Sequence, residues 1–301
     1  MKSFYSHGKL LLTAEYAVLM GARALALPCS QGQKMNVWEE NTKKLVWESF
    51  DQQGQLWFEV HFQIPSLLIK QSTNSEVAYR LREILLTAQN RNPSFLQKGV
   101  RVETHLEFDR SWGLGSSSTL IANIGLWAQV NPYELLEHSF GGSGYDIACA
   151  QASGPICYTR NQYQPKIEHV SFDPPFSKQL FFVYLNQKQS SLQAIESLDI
   201  KSISPSHIEK LNALTEAVLN CKTQEHFDQL LVQHETLMAN LLSQTPVKKL
   251  LFEDFNGAIK SLGAWGGDFV LASGDHLTPY YFNKKGFQTV IPFNQMMNQK
   301  V

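Results

Sequence analysis

The sequence predicts a mixed architecture, either α/β or α+β, in two domains. Two patterns predict it: short apolar or alternating runs between turn-forming residues, and longer segments with apolar residues at helical spacing. Both patterns occur in each half of the chain. A length of 301 residues exceeds one minimal core, so we expect two compact domains, or one large domain with an appended lobe.

The first third of the chain is rich in predicted strands, which a helix interrupts. The strands are 2–6, 10–13, 35–39, 45–49, 56–61 and 100–108. The helix is 75–89, since apolar residues recur there at intervals of three and four, and Ser75 is its expected N-cap. Small and apolar residues then predict a buried helix at 116–130, which Asn131-Pro132 ends.

A polar, proline-rich stretch at 162–175 is the predicted domain boundary. It divides the chain into an N-terminal domain, 1–165, and a C-terminal domain, 166–301. Beyond it the patterns predict strands at 180–185 and 269–273 and helices at 206–221, 224–243 and 247–262.

Composition and charge exclude several classes of protein. A formal net charge of −1 gives no bias toward nucleic acid or membrane surfaces, so we expect neither as a partner. Glu15 and Arg23 interrupt the apolar run 10–28, which argues against a signal or membrane-spanning segment. The four cysteines lack CxxC spacing, which favours buried thiols in a reducing compartment. We therefore expect a cytoplasmic protein.

A glycine- and serine-rich segment precedes the helix 116–130. It consists of Gly113, Leu114, Gly115, Ser116, Ser117 and Ser118. Backbone N–H groups at a helix N-terminus attract anions, and small side chains allow phosphate oxygens to approach. Taken alone, the segment fits a glycine turn with a serine-capped helix slightly better. The chain has no GxxxxGK[ST] loop, full GxGxxG fingerprint or protein-kinase motif set.

Four segments in order resemble the superfamily of galactokinase, homoserine kinase, mevalonate kinase and phosphomevalonate kinase, the GHMP kinases. They are HGKLLLTAEYAVL at 7–19, GLGSSST at 113–119, GSGYDIA at 142–148 and GAWGGD at 263–268. Ala14 and Trp265 stand where the family commonly has glycine, and the proline that often precedes the second motif is absent. A weaker match at 185–191, LNQKQSS, lacks the glycine and threonine of the family's substrate-side element.

The resemblance implies an α+β fold of two domains, ribosomal-protein-S5-like at the N-terminus and ferredoxin-like at the C-terminus. It also implies ATP held by residues 113–118, with Mg²⁺. Asp146 would be a base or would orient the acceptor hydroxyl, and Lys9 would stabilise developing negative charge. Without the resemblance, Asp146 is a helix cap and Lys9 a solvated strand residue. Ser117 is the expected Mg²⁺ ligand, and Glu134 a weaker one.

Further residues are assigned by the resemblance to the substrate side. They are His7, Glu15, Ser143, Gly144, Tyr145, Lys188, Ser190, Gly263, Ala264, Trp265, Gly266 and Gly267. The Trp265 indole either fills part of the substrate pocket or points outward. Motif-linked cations suited to an anionic substrate are His7, Lys9, Arg110, Arg160 and Lys188.

The acceptor implied by the resemblance is phosphomevalonate or mevalonate, since the motifs are most similar to the phosphomevalonate kinase form. Another small alcohol, such as homoserine or a sugar, is an alternative. Two alternatives of other classes are a decarboxylase that works through phosphorylation and a nucleotide-binding regulator without turnover. The sequence leaves a monomer and a homodimer open.

Overall fold

The computed structural model describes residues 1–161, 164–188 and 203–297, and the chain divides into two compact units that interleave in sequence. Unit 1 comprises Met1–Gly8, Gln31–Arg110 and Leu114–Gln151, and unit 2 comprises Lys9–Ser30, Ser111–Gly113 and the described part of Ala152–Val301. Both units contain strands and helices, so the predicted α+β class is confirmed. The division into domains 1–165 and 166–301 stays a prediction.

Unit 1 contains the strands β3 (Lys44–Phe50), β4 (Leu56–Gln63), β5 (Leu68–Ser72) and β6 (Gly99–Leu106) and the part of β2 (Ala24–Glu40) from residue 31 onward. Their order in the sheet is β5-β4-β3-β6-β2, and β1 (Lys2–Leu11), of which residues 2–8 belong to unit 1, pairs with β2. Neighbours in this order are antiparallel except β3 and β6, which are parallel. The predicted strands 2–6 and 10–13 are thus one strand, and β5 was not predicted.

Helices cover this sheet and bury the core of unit 1. They are α1 (Ser75–Arg91), α2 (Ser116–Ala128), α3 (Pro132–Glu137) and α4 (Tyr145–Gln151). Helix α2 packs against the other three. Buried residues of β2, β3, β4 and β6, such as Trp47 and Phe62, form one cluster with those of α1 and α2. Each large apolar side chain buried there contributes about 1.5–3 kcal/mol to folding.

Unit 2 contains an antiparallel sheet in the order β10-β11-β9-β12. Its strands are β9 (Leu180–Tyr184), β10 (Ala258–Ser261), β11 (Phe269–Ser273) and β12 (Val290–Pro292). Its helices are α5 (Pro205–Asn220), α6 (Gln224–Leu242), α7 (Val247–Leu251), α8 (Thr278–Lys284) and α9 (Phe293–Met296). Helix α6 packs against α5 and β10. Two further strands, β7 (Ile156–Thr159) and β8 (Lys166–His169), pair with each other, and β7 also pairs with the first residues of β2.

The predicted helix 247–262 is wrong. Helix α7 ends at Leu251, a turn follows, and residues 258–261 form β10. Gly257 lies just before β10, and a Cβ on it would lie 2.0 Å from the carbonyl oxygen of Ser273 in β11. The backbone must pass that close for β10 to pair with β11. The N-cap of α1 is also not Ser75 but Asn74, whose side chain accepts a hydrogen bond from the Val77 N–H.

All four cysteines are buried and none of them forms a disulfide, as predicted. Across the ranges that the structure describes, no helix has the length and apolar character needed to cross a bilayer.

Candidate active site

Helix α2 begins without a side-chain cap. Its N-cap residue is Gly115, in the left-handed region at φ 86°, and glycine offers no side-chain acceptor to the first N–H groups. The Ser118 hydroxyl donates to the Gly115 carbonyl oxygen at 2.9 Å. The serine-capped helix considered from sequence is therefore wrong. Within the described residues, four other helices do have a side-chain cap, from Asn74, Asn131, Ser204 and Thr223.

Buried polar contacts fix α2 on the strands of unit 1. The Ser6 hydroxyl in β1 donates to Asn123 Oδ1 at 2.8 Å, and Asn123 Nδ2 donates to the Gln33 carbonyl oxygen in β2 at 3.0 Å. The Thr119 hydroxyl donates to Gln33 Oε1 at 2.9 Å. These partners hold α2 in one register and so place its N-terminus. These contacts were not predicted from the sequence, although Thr119 and Asn123, two polar residues in an otherwise apolar helix, indicate them.

Asp146 lies in the first turn of α4. The helix begins at Tyr145, so Asp146 is inside it and is not the cap of a helix starting at Ile147. Before it, Gly144 has φ 86°, and the Ser143 hydroxyl oxygen accepts from the Tyr145 N–H at 3.5 Å. Asp146 is partly exposed, whereas its neighbours in α4 are buried. Because α4 packs against α2, unit 1 brings together the helices that begin within the motifs 113–119 and 142–148.

Lys9, Gly113 and Asp268 lie together in unit 2. Lys9 is 9% exposed, and its Nζ donates to the Gly113 carbonyl oxygen at 3.2 Å, so it is not a solvated strand residue. Gly113 has φ 66°, and a Cβ on it would lie 2.2 Å from Asp268 Oδ2. This contact requires glycine at 113 and brings residues of three motifs into one place. Asp268 was not among the predicted site residues.

The segment 111–113 is held in unit 2 by aromatic side chains. The Tyr184 hydroxyl donates to the Ser111 carbonyl oxygen at 3.2 Å, and the Trp112 ring meets the Phe269 ring edge-on at 5.6 Å between centroids. The backbone of Asp268 is fixed by its N–H, which donates to the Gln187 carbonyl oxygen at 2.7 Å. The glycine that opens the GLGSSS segment is thus rigidly placed.

The second glycine loop, 263–267, contains a buried indole. Trp265 is 2% exposed, so the outward orientation considered from sequence is wrong. Its backbone N–H donates to the Tyr16 hydroxyl oxygen at 3.0 Å, and its Nε1 has no hydrogen-bond partner among the described residues. Gly263 and Gly266 adopt positive φ of 64° and 88°, a conformation that favours glycine.

Glu15 belongs to a buried set of ionisable side chains. Lys260, from β10, donates to the Glu15 carboxylate, and its Nζ lies 3.2 Å from Glu235 Oε1. Burial raises the pKa of Glu15 from 4.5 to about 7, while the Lys260 ammonium opposes that rise. Burial, with Lys260 nearby, lowers the pKa of His234 well below 6.5. His234 is therefore neutral, and its Nε2 accepts from the Ala14 N–H at 2.9 Å.

The two predicted Mg²⁺ ligands have different surroundings. Ser117 is exposed in the first turn of α2. Glu134 lies on α3 with its Oε2 2.6 Å from Arg91 Nε, and this ion pair competes with a metal. Among the described residues, no group of three or more acidic, histidine or cysteine side chains is arranged to hold a metal ion.

The other motif-linked residues are spread over both units. The ring of His7 is half-buried and meets Tyr5 edge-on, and Lys188 is exposed. Arg110 stacks on the Trp57 ring at 3.5 Å, and Arg160 Nη1 donates to the Leu19 carbonyl oxygen at 3.2 Å. The predicted substrate-side residue Ser190 lies outside the described residues.

Solved structures match the chain over nearly its whole length, although no protein-family model and no curated protein sequence matches it. The mevalonate kinase of Methanococcus jannaschii matches with a TM-score of 0.71 at 14% identity, over 96% of each chain. The phosphomevalonate kinase of Streptococcus pneumoniae, in complex with phosphomevalonate and AMPPNP, gives 0.70 at 14% identity, over 95% of this chain and 96% of that one. The galactokinase of Lactococcus lactis, complexed with galactose, gives 0.66 at 15% identity, over 94% of this chain and 88% of that one. At these identities the likeness establishes the fold.

Proposed function

We propose that this chain, which has the GHMP kinase fold, is an ATP-dependent kinase that phosphorylates a small molecule in the cytoplasm. The observation that carries the proposal is the start of α2: a helix of 13 residues whose N-cap is a glycine and whose first turn consists of small hydroxyl residues. Such a helix end offers N–H donors and a positive dipole to an anion.

The phosphates of ATP fit this helix end. The first-turn N–H groups would bind phosphate oxygens, and the hydroxyls of Ser116 and Ser117 add donors without bulk. Ser117 also offers an oxygen ligand of the kind that Mg²⁺ prefers. The Arg91 ion pair makes Glu134 the poorer candidate, so we assign only Ser117 to the metal. Bound Mg²⁺ would neutralise charge on the transferred phosphoryl group.

Phosphoryl transfer requires an acceptor oxygen to attack the γ-phosphorus while the bond to the β-phosphate oxygen breaks and ADP leaves. We assign Asp146 to orient an acceptor hydroxyl or take its proton, because this residue is partly exposed and lies on a helix that packs against α2. Lys9 supplies positive charge beside the Gly113 carbonyl oxygen, at the start of the phosphate segment. A phosphate acceptor would need cations more than a base.

Within this class, phosphomevalonate is the acceptor we favour, followed by mevalonate. The motif resemblance supports both, and kinases of both substrates are among the structural neighbours. Galactokinase is a neighbour too, so a sugar, or homoserine as another small alcohol, is the alternative acceptor. The decarboxylase and the nucleotide-binding regulator remain alternatives of other classes.

The test is ADP release from Mg·ATP with a panel of mevalonate, phosphomevalonate, diphosphomevalonate, homoserine and galactose. We expect turnover with one acceptor, a loss of about 10²–10⁴-fold in kcat for Asp146→Asn, and a large loss for Lys9→Met. Glu209→Ala, which removes an exposed carboxylate on α5, is the matched control.

Product analysis by mass spectrometry separates the alternatives. Release of CO₂ together with phosphate from diphosphomevalonate would identify the decarboxylase. ATP binding without turnover of any acceptor would contradict the kinase proposal and favour the nucleotide-binding regulator.

A further inference from the structure

The turn formed by Ala14, Glu15 and Tyr16 has a strained backbone. Ala14 has φ 61° and Tyr16 has φ 58°, and neither is glycine. Such sparsely populated backbone conformations cost roughly 1–3 kcal/mol each, so they persist only where surrounding contacts enforce them. All three residues are buried.

Each residue of this turn is held by a different group of unit 2. The Ala14 N–H donates to His234 Nε2, on α6, at 2.9 Å. The Glu15 carboxylate binds Lys260, on β10. The Tyr16 hydroxyl oxygen accepts the Trp265 N–H, in the second glycine loop, at 3.0 Å. The turn is therefore tied at successive positions to a helix, a strand and the loop that follows that strand.

Lys260 stands at the centre of these contacts. It is fully buried between two carboxylates, Glu15 and Glu235, and it also donates to the Ser261 carbonyl oxygen. Glu235 in turn accepts from the Ser261 N–H at 3.0 Å and from the Ser261 hydroxyl at 3.1 Å. The carboxylate of Glu235 thus binds β10 at Ser261 and also pairs with the ammonium of Lys260.

Folding stability alone is a weak reason for such an arrangement. Burying one ammonium and two carboxylates carries a desolvation penalty that a well-packed apolar group would avoid. Strain and buried charge in one place favour a role in placing a functional segment.

We propose that Lys260 is a positioning residue: by bridging Glu15 and Glu235 it fixes the turn 14–16, and through the Tyr16 hydroxyl it fixes the second glycine loop at Trp265. The assignment of that loop to the substrate side rests on the proposed function. Glu15 then acts through the turn and not as a substrate ligand, since it is 1% exposed and engaged by Lys260.

Hydrogen exchange tests the coupling without requiring turnover. In Tyr16→Phe we expect the Trp265 amide to exchange at least about 10-fold faster, while the Ala14 amide keeps its protection because its His234 bond is untouched. In Lys260→Met we expect both amides to lose more protection than the amides of α1, which report any global loss of stability. Unchanged exchange at Trp265 in both variants would overturn the proposal.

Kinetics test the positioning role, using the acceptor that turns over in the panel. We expect Tyr16→Phe to raise the KM of the acceptor about 10-fold and to leave the KM of ATP within twofold. Glu235→Gln, which keeps an acceptor for the Ser261 N–H, should shift the acceptor KM in the same direction and less. Equal changes in both KM values, or none, would contradict a positioning role.

The two proposals fail separately. If no acceptor turns over in the wild-type protein, the kinase function fails, and exchange at Ala14 and Trp265 still decides whether Lys260 controls the loop. Lys260→Arg guards against misfolding of Lys260→Met: it keeps the charge, so we expect exchange at both amides closer to wild type than in Lys260→Met. Exchange as fast as in Lys260→Met, in a folded Lys260→Arg protein, would contradict the role of the bridging charge.

Discussion

The start of α2 and the surroundings of Lys260 are both polar, but they differ in exposure and in where their polar groups find partners. At the start of α2, Gly115, Ser116 and Ser117 are small and at least partly exposed, and the N-cap offers no side chain. Around Lys260 the charged groups are buried and bind one another. The first arrangement suits an anion from solution, and in the second the ion-pair partners come from the chain itself. Substitutions at the start of α2 should therefore mainly weaken ligand binding, and substitutions at Lys260 should mainly lower the free energy of unfolding.

The largest expected effect is the loss of stability in Lys260→Met. Removing the ammonium leaves two buried carboxylates without their cation, and breaking a buried ion pair in this way costs about 3–5 kcal/mol. Urea unfolding followed by circular dichroism measures it. Lys34→Met, at an exposed lysine of β2, is the control and should change stability by less than about 0.5 kcal/mol. Similar midpoints for the two variants would remove the distinction between the two regions.

The next effect is a pH dependence that Glu15 imposes on stability. Its pKa is raised from 4.5 to about 7 on folding, so its contribution is fully present below pH 4.5 and is lost as the pH rises to about 7. The loss is on the order of 3 kcal/mol. Glu15→Gln removes this titrating group. As the pH rises from 4.5 to 7, the free energy of unfolding of Glu15→Gln should therefore increase relative to that of the wild type.

His234 acts in the opposite direction and needs its own variant. Its lowered pKa means that its contribution is present above pH 6.5 and is lost as the pH falls. His234→Gln keeps an acceptor for the Ala14 N–H and cannot titrate, so it isolates this term. Urea unfolding from pH 5 to 8 for the three proteins measures both. Parallel curves for the wild type and Glu15→Gln would show that Glu15 does not titrate in this range.

A further change, Gly113→Ala, tests the glycine that opens the phosphate segment. The added Cβ would lie 2.2 Å from Asp268 Oδ2, at a positive φ of 66°. We expect a loss of about 1–3 kcal/mol in stability and weaker Mg·ATP binding, because the carboxylate must move. Gly21→Ala is the matched control: its φ is 87°, but no described atom lies within 4 Å of the added Cβ. Calorimetry of both variants separates the clash from the backbone strain.

Much of the fold could be predicted from the sequence, because its long helices and its alternating strands carry clear periodicity. Helices α1, α5 and α6 agree with their predicted spans to within a few residues. Strand β10 was missed because all of its residues are buried, so it lacks alternation, and its lysine resembles a residue on a solvated helix face. Tertiary pairing with β11 decided its conformation.

The candidate site could be predicted only where its chemistry is local. The segment 113–118 shows its small residues in sequence order. The bond between Lys260 and Glu15 joins residues 245 positions apart, and nothing in one dimension pairs them. The same holds for Asp268 against Gly113, which only the fold brings together.

The smallest effect concerns Ser117, and it separates binding from folding most sharply. Ser117 and Ser206 are each the second residue of a helix, α2 and α5, and both are exposed. Either serine replaced by alanine should change stability by less than about 0.5 kcal/mol. Ser117→Ala alone should raise the apparent KM of ATP and the Mg²⁺ concentration needed for half-maximal rate, each about 10-fold, or about 1.4 kcal/mol. Equal kinetics for the two variants would exclude Ser117 from the metal and leave the N–H groups of α2 as the main contact to the phosphates.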